Sequence, residues 1–174
     1  MSHGNEIAAL DAELERRRVE AETAALTREL ARRKLADFLR QAWPVVETTT
    51  PLGWGWHLDA MCEHLTAVTA GQIRNLCITI PPGCTKSILV SVMWPAWSWI
   101  QNPGLRWLCA ANEGDLATRD SLSCRKVVQS DWYRRLFPNV QLVSDQNVKT
   151  WYQTSEGGHR LATTVSSNVT GKKG

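Results

Sequence analysis

No apolar run in this sequence is long enough to cross a bilayer. The longest, Ile88 to Ile100, falls short of the roughly 20 residues that a spanning helix needs. No signal peptide precedes the charged N-terminus, so a soluble cytoplasmic protein with no membrane partner is expected. Paired cysteines are missing too. Cys62, Cys77, Cys84, Cys109 and Cys124 are scattered, with no C-x-x-C and no histidine at a metal-ligand spacing. That excludes a disulfide framework and a zinc site, and it fits a reducing compartment. A surplus of charge is also lacking. A net charge of +3 is too small to argue nucleic-acid binding by itself.

What remains is ordinary globular material. The 174 residues make about one domain, and 43% apolar with 21% charged residues can bury a core. Five of the nine tryptophans fall between Trp94 and Trp132. Tryptophan can stack on a nucleobase, but it more often fills a core while its N–H finds a partner.

Residues 5 to about 42 form one helical pattern rich in Ala, Leu, Glu and Arg. Its apolar stripe, Ile7, Leu10, Leu14, Ala21 and Ala24, is broken by Arg17 and Arg28, so a stable coiled coil is not expected. A second stripe, Ala31, Leu35, Phe38 and Leu39, suits docking on the following domain. Residues 1–42 thus read as an N-terminal helical arm, either solvated or docking a partner. Trp43-Pro44 is expected to end it, since proline disfavours a helical residue before it. A polar Pro/Gly linker covers 43–53, and Leu58 to Ala70 reads as a short helix capped by Gly71.

The segment from Asn75 to Trp99 organises the rest. Leu76 to Ile80 reads as a buried strand, Pro81-Pro82-Gly83-Cys84-Thr85-Lys86-Ser87 as a loop, and Ile88 to Trp94 as the start of a helix. Strand, Pro/Gly loop, Lys-Ser and helix is the layout of a phosphate-binding loop. Two glycines of that pattern are lacking: Ile80 and Thr85 stand in their places. A Lys-Ser pair after a turn is equally a solvated loop or helix cap. Pro95 should kink or end the helix that follows. Leu105 to Ala111 is a second buried strand, with Cys77 and Cys109 as small apolar fillers of the two. Asp115 to Leu136 is a helix with Leu116, Leu122, Val127 and Val128 inward. Its outer face of Arg125, Lys126, Arg134 and Arg135 reads as a solvated helix surface. Val148 to Gln153 and Arg160 to Val165 form a hairpin-type pair. The order strand, helix, strand, helix predicts an α/β fold with a parallel sheet flanked by helices.

From about Trp54 to Gly174 the ordered series resembles the ATPase half of phage terminase large subunits, the motors that package viral DNA. The segments carrying the resemblance are His57 before a helix and Gly71, Ile78 to Gly83 leading to Lys86-Ser87, and Trp94-Pro95-Ala96-Trp97. Asn102-Pro103 with Arg106, Arg119-Asp120-Ser121, and Leu136-Phe137-Pro138 follow. Asp145-Gln146-Asn147, Gly158-His159-Arg160 and Val169-Thr170-Gly171 complete it.

The resemblance implies a P-loop NTPase-type sheet over 54–174, ATP and Mg2+ as cofactors, and activity in a bacterial host's cytoplasm. Double-stranded DNA, the portal protein and the small terminase subunit are the implied partners, with a homo-oligomer possible. Pro81 to Thr85 would cradle phosphate, Lys86 would reach the β/γ-phosphates, and the Ser87 hydroxyl would ligate magnesium. His57 would lie on the adenine side, or is simply packed. Arg119 and Arg160 are candidates for phosphate or neighbouring-subunit contacts. The acidic strand and the nuclease domain of the family are not in the sequence. A truncated, catalytically inactive remnant is therefore expected, such as a prophage remnant or gene fragment. A non-catalytic protein docking through its N-terminal helix and a helicase-like ATPase are the alternatives.

Overall fold

The computed structural model of the chain describes residues 2–143 and 148–166, with side chains from Leu10 onward. Among these, Asp145-Gln146-Asn147 and Val169-Thr170-Gly171 are not included. Helix α1 spans Ser2–Arg33, and α2 spans Leu35–Val46. The break falls at Lys34, whose φ of −127° and ψ of 124° are extended rather than helical. The helix was expected to run unbroken to Trp43. It turns earlier because Leu35, Phe38, Leu39, Ala42 and Trp43 all bury in the core, while α1 leaves the body of the molecule. Pro44 does not end α2 either. It sits in the last turn, where few hydrogen bonds remain to be lost, and the Glu47 N–H still donates to Trp43 O at 2.9 Å.

Helix α3, Trp56–Thr69, closes as the sequence predicts. Gly71 takes φ 74°, its N–H donates to Val68 O, and Gln72 N–H donates to Ala67 O. Those are the two bonds of a Schellman stop, which favours a residue without Cβ at that place. Helix α4, Lys86–Ile88, continues through a π-helical turn at Leu89–Met93 into α5, Trp94–Gln101. Pro95 neither ends nor interrupts this run. The wider π turn just before it accommodates the missing N–H and the ring's bulk one turn back.

Strand β1, Arg106–Ala111, leads to α6, Gly114–Gln129, and α7, Asp131–Leu136. The predicted single helix divides at Ser130, whose hydroxyl accepts the Tyr133 N–H as a new N-cap. The inward face of α6 is Ala117, Asp120, Ser121, Cys124, Val127 and Val128; Leu116 turns outward. Strands β2, Trp151–Gln153, and β3, His159–Thr164, form the expected hairpin. The sheet order is β1-β3-β2, with β1 and β3 parallel and β2 antiparallel to β3.

The architecture is therefore α/β, built on a small mixed sheet rather than a wholly parallel one. The strand expected at Leu76–Ile80 does not form. Leu76, Ile78 and Ile80 pack part-buried on the core, but their backbone joins no ladder among the described residues. Cys77 is accordingly exposed, whereas Cys62 and Cys124 are the buried thiols. Apolar alternation located the part-buried side chains here; a strand also needs a neighbour to pair with, and the described residues supply none.

Three tryptophans do the expected work of filling the core with a satisfied N–H, whereas the Trp107 N–H is buried without a partner and Trp56 is exposed. Trp43 donates to Thr50 O at 2.7 Å, Trp97 to Ala31 O at 3.0 Å and Trp99 to Leu105 O at 2.9 Å. Tyr133, buried beneath α5, donates its hydroxyl to Ala96 O at 2.8 Å. Among the described residues no helix is long and apolar enough to cross a membrane.

Candidate functional site

The loop from Pro81 to Thr85 ends where the helical run of α4 and α5 begins, and its last residue is the unusual one. Thr85 has φ 61° and ψ 1°, the left-handed region, and is the one non-glycine residue there among those described. Its carbonyl accepts the Leu89 N–H at 2.9 Å, the first turn of the helix. A β-branched residue in this conformation is strained by about 1–2 kcal/mol. Two places earlier, Gly83 has φ 84°. The chain thus makes a sharp turn directly into a helix, with Lys86 and Ser87 as its first helical residues.

A cleft of about 520 Å³ opens over this turn, lined by Pro81 to Ile88 on one side. Its other wall is the end of α2 and the linker beyond: Trp43, Glu47, Thr50, Pro51 and Gly53. The Trp43 indole, bonded to Thr50 O, folds that linker back over the loop. Lys86 is half-buried and Ser87 exposed, and among the described residues Lys86 has no carboxylate within ion-pair distance. The same two residues border a second groove of about 510 Å³, lined also by Leu76, Ile78 and Trp94.

The arrangement suits a polyanion. The N-terminal turn of a helix presents unsatisfied N–H groups, and an unpaired ammonium stands beside them. A volume of about 520 Å³ lies in the range of nucleotide-sized sites. Among the described residues that line the cleft, Glu47 is the one carboxylate, and Ser87, Thr85 and Thr50 bring hydroxyls. Among the described residues no group of three or more His, Cys, Asp or Glu is placed to hold a metal. A magnesium ion here would be held mainly by phosphate oxygens, as that ion tolerates.

The remaining predicted residues lie elsewhere. His57, in the first turn of α3, is half-buried against Gly55 and Trp56 and does not line the cleft. Arg119 is exposed on α6 and paired with its neighbour Asp120 at 2.8 Å. Arg160 is 0% exposed on β3, so its guanidinium does not reach solvent, and it does not line the cleft. Its guanidinium nitrogens find no oxygen acceptor, and the Cys124 sulfur is the polar atom beside them; the nearby buried Ser121 hydroxyl on α6 has no partner. The Cys124 thiol is pushed up by burial, and is therefore neutral at ordinary pH.

Glu47, Thr50 and Pro51 were not legible as site residues. Their sequence signal is only that of a polar linker, and nothing in spacing says that a linker folds over a loop thirty-odd residues later. Comparison of the chain with family models, with characterised proteins and with solved structures gives no match.

Proposed function

We propose that this chain is the nucleotide-binding part of a DNA-packaging motor of the terminase large-subunit kind, with a P-loop NTPase-type fold and ATP as its ligand. The observation that carries the reading is the Pro81–Ser87 turn, strained at Thr85, entering a helix at the floor of a cleft walled by the α2 end. In this reading the backbone N–H groups at the start of α4 and the Lys86 ammonium bind the phosphates. Ser87 and Glu47 orient a hydrated magnesium ion carried by those phosphates. Bound ATP would supply the energy for moving double-stranded viral DNA into a procapsid, with the portal protein and the small terminase subunit as the other partners. The ordered segments from His57 to Arg160 support the family assignment through resemblance; the cleft supports nucleotide binding independently.

The chain contributes no more than one carboxylate to the cleft among the described residues, so binding rather than turnover is the property to measure. A fluorescent ATP analogue with Mg2+ should bind the full chain. Lys86→Ala should weaken it by about tenfold or more, the loss of one charge-assisted contact. Equal affinity for wild type and Lys86→Ala, or no affinity in either, sinks the nucleotide reading.

A further inference from the structure

Among its described side chains, helix α1 is bonded to the body near its C-terminal end. Gln41 Nε2 donates to Thr27 O, Trp97 Nε1 to Ala31 O and Gln101 Nε2 to Arg32 O. From Leu10 to Leu26 it is exposed around almost its whole circumference. A helix in that setting is held by i,i+3 and i,i+4 ion pairs, and it has them: Glu13 with Arg16 and Arg17, Glu22 with Arg18, Glu29 with Arg32 and Arg33.

Two faces nevertheless carry exposed apolar residues: the Leu10, Leu14, Ala21 and Ala24 stripe that Arg17 and Arg28 interrupt, and a second one that no charge interrupts between Val19 and Leu30. Ala12, Val19 and Leu26 recur every seven residues, and Thr23 and Leu30 fall four beyond Val19 and Leu26, completing this second stripe. Val19, Leu26 and Leu30 are 52%, 62% and 45% exposed. At 3.6 residues per turn the stripe lies about 100° around the helix from Thr27 and Ala31, so docking α1 on the body leaves it open. Arg16 occupies the same stripe one heptad before Thr23, and its guanidinium swings aside to Glu13 and Glu20.

The flanks decide what can cover the stripe. On one side run Glu15, Glu22 and Glu29, again every seven residues; on the other stand Glu13 and Glu20. A second copy of α1 laid parallel would set Glu15 against Glu20, and laid antiparallel would set the Glu15–Glu22–Glu29 row against itself. Both juxtapose like charges at the positions that choose a partner. The internal pairs of Glu13, Glu22 and Glu29 are exposed, hence weak and open to exchange.

We propose that the Val19–Leu26–Leu30 face of α1 docks an amphipathic helix of a different protein, one carrying Lys or Arg on both sides of its own apolar seam. The docking is independent of the loop at 81–87. The test uses the full chain and three synthetic peptides of about 24 residues: a leucine seam flanked by Lys, the same seam flanked by Glu, and a Lys peptide with its seam scrambled. Fluorescence anisotropy near physiological salt should show the Lys-flanked peptide binding about tenfold or more tighter than either other. Val19→Asn with Leu26→Asn, both surface changes, should remove that preference with the helical circular dichroism retained; Lys86→Ala should not. Equal binding of the scrambled Lys peptide would reduce the effect to bulk charge and overturn the proposal. So would a dimer in sedimentation equilibrium that the same double substitution dissolves, for then a second copy occupies the face.

Discussion

The Trp97 indole N–H donates to the carbonyl of Ala31 at 3.0 Å, joining the middle of α5 to the last turn of α1. Both residues are buried, Ala31 at 0% and Trp97 at 3% exposed. The last carbonyls of a helix have no partner within it, and here α5 supplies one. The contact fixes the direction in which α1 leaves the body. Trp97→Phe keeps an aromatic ring but removes the donor and some volume. It should cost about 1–3 kcal/mol in chemical denaturation. Amide exchange at residues 27–33 should quicken more than exchange in α6; uniform change across the chain would deny the anchoring role.

Gly158 has no room for a side chain. A Cβ there would lie 2.1 Å from Pro103 O and 2.7 Å from Leu105 O, both backbone atoms. The same corner is fastened by Thr154, whose hydroxyl donates to Pro103 O at 2.7 Å. Gly158→Ala must therefore push the β2–β3 hairpin off the turn before β1. A loss of about 3 kcal/mol or more is expected, at the high end for a single methyl group. A melting temperature within a degree or two of wild type would show that the close approach is dispensable.

Thr85 holds its left-handed conformation against its own side chain. Thr85→Gly relieves that strain but gives the unfolded chain more freedom, and the two effects oppose each other. The net expectation is a gain of about 0.5–1 kcal/mol in stability. A clear loss would mean that the threonine side chain contributes an interaction that outweighs its strain.

Arg160 carries a buried charge with no oxygen acceptor and only the Cys124 sulfur beside it. Replacing such a group with an apolar side chain of similar length removes the desolvation cost and keeps the volume. Arg160→Met should be neutral or stabilising by about 1–3 kcal/mol, whereas Arg160→Ala leaves a cavity and should destabilise. If Met is as damaging as Ala, the guanidinium has a partner that matters for folding.

The thiols give a pH test. Burial, with a smaller effect from the Asp59 charge, pushes Cys62 from 9.0 up to about 12. Its folded pKa is raised, so its contribution to stability is complete below the unfolded value and is lost as pH rises through the folded one. Stability should fall between about pH 9 and pH 12. Tyr133 and Tyr152, both raised by burial, act in the same direction. In the folded protein at pH 8 a thiol reagent should modify exposed Cys77 and leave Cys62 and Cys124 untouched. Modification of all three at one rate would place Cys62 at the surface.

Local chemistry settled a good deal of this protein from the sequence alone. The Gly71 stop of α3, strand β1, the β2–β3 hairpin and the burial of Trp97 and Trp99 follow from periodicity, turn residues and apolar bulk. So does the turn into a helix at Lys86. Each depends on residues within a few places of one another. Tertiary structure alone decided the rest. It broke the long helix at Lys34, because a buried α2 and a projecting α1 cannot share one axis. It left Leu76–Ile80 without a ladder, because pairing is a property of two segments and the sheet formed from three others. It brought Glu47 and Thr50 over the loop at Pro81–Ser87, and it sealed Arg160 under α6 although arginine is among the residues least often buried. None of these is encoded at the residue concerned; each is set by what happens to lie across from it.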